Sequence, residues 1–155
     1  MIERIVSGGQ TGADRAALDW ALENGIPHGG WCPKGRLAED GPIPEKYELT
    51  ETPSADYAQR TEWNVRDSDG TVVFSIAPTP SGGSAKTMAF SQQHGKPVIH
   101  ICRNDRKSVQ SLLQFIGSHG IRILNVAGPR ASEEPEVGEF VRRILELSVG
   151  KGSAG

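Results

Sequence analysis

The sequence predicts a three-layer α/β domain of Rossmann-like build, with a mainly parallel five-stranded sheet and helices on both faces. Three observations carry that expectation. Short apolar runs alternate with segments of helical period, which calls for parallel strands joined by right-handed crossovers. Three of the five runs are rich in Val, Ile and Phe, as in strands covered on both faces. Glycine-rich turns follow the first and third runs, at the strand-to-helix junctions where open α/β sheets hold ligands.

The five predicted strands are Arg4–Ser7, His28–Cys32, Thr71–Ile76, Pro97–Cys102 and Arg122–Val126. The second is the weakest, because Gly29 and Gly30 lower strand propensity. Helical stripes follow the first strand over Ala13–Asn24 (Ala17, Leu18, Ala21, Leu22), the fourth over Asp105–Ser118 (Val109, Leu112, Leu113, Ile116) and the fifth over Pro135–Val149 (Val137, Phe140, Val141, Ile144, Leu145). Ser132 and Pro135 read as the start signals of the last helix, and Glu133, Glu134 and Glu136 suit the positive end of its dipole. Gly25, Gly95, Gly120 and Gly150 sit where helices should end. The segment Lys34–Asp56 carries Pro42, Pro44 and Pro53 without periodicity, so it reads as a long functional loop. The expected strand order, numbered along the chain, is 2-1-3-4-5.

A chain of 155 residues defaults to one domain, here 1–149, with 150–155 expected to be a disordered tail. Net charge is −2, so nothing marks a nucleic-acid-binding face, and Arg103, Arg106 and Lys107 read as a solvated loop and helix start. No apolar run approaches the roughly 20 residues of a membrane span, and the opening residues read as a strand rather than a leader. Cys32 and Cys102 form no CxxC pattern and suit a reducing, cytoplasmic setting. His28 and Cys32 would stand about 13 Å apart on one strand face, too far to share an ion, and His94, His100 and His119 have no ligand spacing, so no directly bound metal is expected.

The chemistry gathers in two loops. Ser7-Gly8-Gly9-Gln10-Thr11-Gly12 runs from the first strand into a helix, and Pro80-Ser81-Gly82-Gly83-Ser84 follows the third strand, with Thr87 one turn on. Glycines bare the backbone amides, and a helix N-terminus beside them attracts anions. Gln10, Thr11 and the serines add side-chain donors. In the expected order both loops meet at the point where the crossovers diverge, forming one phosphate-binding crevice. Neither a Walker P-loop nor a GxGxxG fingerprint is present: Pro80 and Ala85 stand at the P-loop glycine positions, although Lys86-Thr87 follow.

Charged side chains extend the candidate set. Asp14 either complements the helix dipole or works in the site, and Arg15 faces either a ligand phosphate or a carboxylate. Lys34 and Arg36 close over phosphate or belong to a solvated loop. Arg60, Glu62, Asn64, Arg66, Asp67 and Asp69 crowd before the third strand as a polar site wall, although Glu62 and Arg66 also suit an ordinary i,i+4 pair. Their helix is expected to pack through Ala58, Thr61 and Val65, with Trp63 in the core or as a stacking platform. The phosphate-binding set is therefore Gly8, Gly9, Gln10, Thr11, Gly12, Arg15, Lys34, Arg36, Arg66, Ser81, Gly82, Gly83, Ser84 and Thr87. If the protein is a hydrolase, its acid or base comes from Glu62, Asp14 or Asp69.

Several blocks together resemble a known family. They are Ser7 through Asp19, Gly25 through Arg36 with Ala38 through Pro44, Thr52-Pro53-Ser54 with Tyr57, Arg60 through Gly70, and Gly82-Gly83-Ser84 with Thr87. They look like the proposed molybdenum carrier family, the circularly permuted YpsA-like branch of the SLOG superfamily, over roughly residues 5 to 125. The resemblance implies a Rossmann-like fold, a nucleotide or molybdenum cofactor as ligand, and a homo-oligomer, dimeric or larger; Trp31, Trp63 and Tyr57 are available to an interface. The phosphoribohydrolases of the same superfamily carry Pro-Gly-Gly-x-Gly-Thr-x-x-Glu. This chain has Ser81, Ala85 and Ala89 at the proline, last-glycine and glutamate positions, which weighs against their hydrolysis. The two readings carried forward are a carrier of a small phosphate-bearing ligand and a nucleotide-processing hydrolase.

Overall fold

The structure, a computed structural model, describes residues 1–150, so all of the predicted tail except Gly150 lies outside the described residues. Its central sheet contains β1 (Arg4–Val6), β2 (His28–Gly29), β7 (Gly70–Ser75), β8 (Val98–Cys102) and β9 (Ile123–Ala127), and all its pairings are parallel. Between them run α1 (Ala13–Glu23), α2 (Tyr57–Arg66), α3 (Gly82–Gln93), α4 (Ser108–His119) and α5 (Val137–Leu145), the last closed by a π-helical turn at Glu146–Gly150. The α/β class, the five-stranded parallel sheet and its helical layers are as expected. No described helix is long and apolar enough to cross a membrane.

The strand order departs from expectation at one strand. The sheet runs β2-β1-β9-β7-β8, so the last strand lies between the first and third rather than at the edge. Alternation fixes the hand of each crossover but not the direction of its step. After β8, α4 carries the chain back to a strand beyond β7. It packs with α5, which packs on α1, while α3 packs with α2 on the other face. Polar contacts fix β9 in place. Asp69, just before β7, accepts the amides of Arg122 and Ile123 at 3.0 and 2.8 Å. Asn125 Nδ2 donates to Thr71 Oγ1 at 3.1 Å, and Ser7 Oγ donates to the Val126 carbonyl at 2.7 Å.

The two faces of the sheet differ in chemistry. Under α1, α4 and α5 lies the aliphatic core, with Ile5, Val72, Phe74, Leu124 and Val126 packed against residues such as Leu112, Val141 and Leu145. The α2 and α3 face is thinner and more polar. Ser84, Thr87 and Ser91 are the buried residues of α3, and Arg60, Asn64 and Val65 those of α2. Of the predicted α2 packing set, Val65 is buried while Ala58 and Thr61 are half-buried. Trp63 is neither core nor an unpaired platform: it meets Trp31 edge-on at 4.8 Å, with Arg66 over its face at 4.5 Å.

Several boundaries moved for local reasons. The second predicted strand breaks at Gly30, where a Cβ would stand 2.4 Å from the Ser7 carbonyl, and its second half becomes β3 (Trp31–Cys32). The last helix begins at Val137 after Glu136, because the Ser132 hydroxyl is spent on Glu39 at 2.5 Å. The irregular segment folds into a hairpin of β4 (Leu37–Ala38) and β5 (Gly41–Pro42), then β6 (Thr50–Glu51), which pairs with β3. It carries its own small core of Cys32, Ala38, Ile43 and Tyr47 against Leu18 of α1. Burial pushes the Cys32 thiol up, as suits a packing residue.

Candidate functional site

The two glycine loops converge on one cleft at the C-terminal rim of the sheet. Gly8 and Gln10 line it from the first loop, Gly83 and Ser84 from the second, and Arg60 and Arg130 from α2 and the segment after β9. The cleft is half open to solvent and has a cavity volume of about 70 Å³. Because β9 sits between β1 and β7, its outgoing turn Gly128-Pro129-Arg130 enters the middle of the crevice.

Two buried polar atoms at the cleft lack a partner among the described residues: Gln10 Nε2 and Ser84 Oγ. Their residues are 5% and 4% exposed, one on each glycine loop. Burying such a group without a hydrogen bond costs about 1–3 kcal/mol, so native proteins rarely leave two together. The orientation of Gln10 is fixed by its other atom: Oε1 accepts the amides of Thr11 at 3.0 Å and Glu39 at 2.9 Å. Ser84 lies in the first turn of α3. The expected second loop is shorter than predicted, since Gly82 and Gly83 are already helical and Ser81 is the N-cap residue.

The charged floor is made of Asp14 and Arg60. Arg60 Nη1 donates to the Gly8 carbonyl at 2.9 Å and stands 3.7 Å from Asp14. A Cβ on Gly8 would lie 2.3 Å from that same nitrogen, so glycine is what admits the guanidinium. Asp14 accepts the Gln10 amide at 3.2 Å. Burial raises its pKa above the usual carboxylate value, opposed mainly by Arg60. At the mouth, Arg130 pairs with Glu133 at 3.2 Å. The Arg60 and Arg130 guanidiniums lie 5.1 and 5.9 Å from the Tyr57 ring, bringing two cations to one aromatic ring.

Other predicted residues hold the scaffold. Gly9 lies under Ile43 and Leu49, and Gly12 against the Pro129 carbonyl. The Thr11 hydroxyl donates to Glu39 and accepts the Ala131 amide, which ties three segments together. Arg15 binds the Gly9 carbonyl and holds Asp40 with both terminal nitrogens. Arg36 donates to the carbonyls of Ile43, Pro44, Tyr47 and Leu49, so it organises the irregular segment. Arg66 pairs with Asp67. Lys34 lies outside the cleft lining, whereas Thr87 belongs to it.

Of the three candidate carboxylates, Asp14 alone lines the cleft. Glu62 pairs with His94 at 2.9 Å between α2 and α3, and Asp69 works at the opposite, N-terminal end of β7. Arg130, Glu133 and Asn125 also line the cleft and were not predicted. An asparagine inside an otherwise apolar parallel strand, followed by Gly128-Pro129-Arg130, was the available signal. Among the described residues no group of three or more His, Cys, Asp or Glu is placed to hold a metal ion.

Comparison with known proteins follows the same lines. The model of the circularly permutated YpsA SLOG family matches residues 5–149. A crystal structure described as a "Putative molybdenum carrier protein" from Syntrophus aciditrophicus SB superposes with a TM-score of 0.91 at 49% identity, covering 94% of each chain. An (E)-4-hydroxy-3-methyl-but-2-enyl diphosphate reductase structure reaches a TM-score of 0.41 at 10% identity over 94% of this chain and 59% of that one, and carries no argument. No curated protein matches.

Proposed function

We propose that this chain, which belongs to the circularly permutated YpsA SLOG family, binds a small phosphate-bearing ligand, a nucleotide or a molybdenum cofactor, in the cleft between its two glycine loops, and acts as a carrier. The observation that supports this most is the pair of orphaned buried groups, Gln10 Nε2 and Ser84 Oγ, on residues that line one cleft. Both can donate to an oxyanion. Arg60 and Arg130 supply positive charge, and the hydrogen bonds of Arg60 run from Nε and Nη1.

The molybdenum-carrier reading comes from the neighbour's description. The donors here fit the phosphate of such a cofactor, held by Gln10, Ser84, Arg60 and Arg130. A cavity of about 70 Å³ takes a phosphate-sized group, and a ring system would lie toward the solvent-open side. When bound, the cofactor would supply the molybdenum chemistry; the residues of this chain would grip its phosphate. A hydrolytic reading rests on Asp14 alone, since Glu62 and Asp69 are elsewhere.

Ser84→Ala tests the proposal. Removing a buried hydroxyl with no partner should leave the free protein as stable or up to about 1 kcal/mol more stable, about 2–4 °C in Tm. The same change should weaken binding of inorganic phosphate and AMP, read by calorimetry. Lower stability with unchanged phosphate affinity would make the hydroxyl structural and defeat the reading.

A further inference from the structure

We propose that the ligand of this cleft carries a single phosphoryl group on a hydroxyl-bearing body, and that the protein is built to turn away a second phosphate. The inference rests on the phosphate-binding reading above and specifies the ligand class for that site.

A second chamber of about 90 Å³ adjoins the first and shares Ser84, Pro129 and Glu133 with it. The two differ in charge. The first holds both arginines and the two orphaned donors, with Asp14 and Glu133 as their counter-charges. The second is lined by Ser75, Thr79, Ser81, Glu133 and Glu134, with no Lys or Arg among its lining residues. Glu134 is held in place. Glu134 accepts the amides of Ile76 at 2.7 Å and Ala77 at 3.1 Å, so it cannot swing aside without orphaning them. Glu133 is held by Arg130.

His100 adds no compensating cation. Ser75 Oγ gives its one proton to the Ala77 carbonyl at 2.6 Å, so the His100 ring must donate to Ser75 through Nε2, also at 2.6 Å. Burial lowers the pKa of that imidazole and favours its neutral form. A phosphate seated in the first chamber therefore faces, on its far side, the fixed carboxylate of Glu134, that of Glu133 at the boundary the two chambers share, and several hydroxyls. Hydroxyl donors from a ribose or another polyol satisfy those acceptors. The oxygens of a second phosphate repel them, and like-charge contacts in a confined site carry a heavy penalty.

Calorimetric titration of the full chain with inorganic phosphate, pyrophosphate, AMP and ADP, at one ionic strength and without divalent metal, tests this. AMP should bind about tenfold more tightly than ADP, and phosphate more tightly than pyrophosphate. Glu134→Gln should bring the AMP-to-ADP ratio toward one. Glu133→Gln, at an exposed position, should do the same while freeing Arg130 and raising affinity for all four probes. ADP binding as tightly as AMP to the native chain would overturn the inference and leave the phosphate site standing. So would a ratio unchanged in both variants, with folding confirmed by circular dichroism. Failure of all four probes to bind would overturn both.

Discussion

Replacing Arg60 by Met tests the electrostatic floor of the cleft. The side chains of Arg60 and Asp14 are only 11% and 9% exposed, and they stand 3.7 Å apart. Removing one partner of such a pair costs about 3–5 kcal/mol, because the other charge stays buried. The bond to the Gly8 carbonyl, 2.9 Å long, goes with it and contributes about 1 kcal/mol. Together these come to about 4–6 kcal/mol, and at about 2–4 °C per kcal/mol for a chain of this size Tm should fall by about 8–24 °C. The loss should depend on pH with a definite sign. The folded-state pKa of Asp14 already lies above its ordinary 3.8, so the folded protein holds this proton more tightly than the unfolded chain. Stability contributed by this group therefore declines as pH rises from 3.8 through the folded value, and the full penalty applies above it. Without Arg60 the folded value climbs further, so Arg60→Met should be most deficient at about pH 8 and recover toward about pH 5. Urea denaturation at the two pH values reads this directly, and Asp14→Asn in the same background should restore most of the loss. A deficit below about 1 kcal/mol, or one equal at both pH values and untouched by Asp14→Asn, would refute the argument.

Gly8→Ala places a methyl 2.3 Å from Arg60 Nη1 and 2.9 Å from Cδ, so the guanidinium must leave its place; thermal melts should show a loss of about 1–3 kcal/mol. Asp69→Asn should leave phosphate and AMP affinity unchanged, because Asp69 serves the β9 amides rather than the cleft. Its pKa is lowered chiefly by the Ile123 amide, so it contributes stability above pH 3.8 that is lost as pH falls through the folded value; Asp69→Asn should flatten that acid limb in melts taken between about pH 6 and about pH 3.

Alternating periodicity made the layers legible, and helix-ending glycines were legible too: Gly25, Gly95 and Gly120 sit at φ of 66, 62 and 59°. The place of the last strand was not, because it depends on side-chain locks between residues more than 50 positions apart, such as Asn125 with Thr71. That single displacement hid the third wall of the cleft. With β9 expected at the edge, the turn after it had no reason to meet the glycine loops, so Glu133 read as a helix-start residue and Arg130 drew no reading. The glycine loops themselves were legible because bare amides at a helix start have few other uses. Long polar side chains were the least legible. Arg15, Arg36 and Arg66 all have the chemistry of a phosphate ligand, but each found a carboxylate or a set of carbonyls nearer at hand. Sequence spacing gives which groups share a face, and competition among partners then decides which remains free to bind.

The irregular segment fits this picture as the device that aims Gln10. A glutamine amide can turn either its oxygen or its nitrogen toward a given partner. Here two main-chain donors, Thr11 and Glu39, both require an oxygen, so Nε2 is the atom left to the cleft. Glu39 is at the tip of the β4–β5 hairpin, and its carboxylate is bound by the Thr11 and Ser132 hydroxyls and the Ser132 amide. Those bonds hold its pKa below the ordinary carboxylate value, so at neutral pH the carboxylate remains ionised and the hairpin tip stays latched. Next to it Asp40 is clamped by Arg15, whose Nε reaches back to Gly9 in the same loop as Gln10. The residues that resembled ligand contacts in the sequence, Thr11 and Arg15, thus serve the orientation of one amide. That accounts for the length of the segment: a shorter connection between β3 and α2 would leave Gln10 Oε1 without its second donor, and the amide free to turn its oxygen toward an incoming anion.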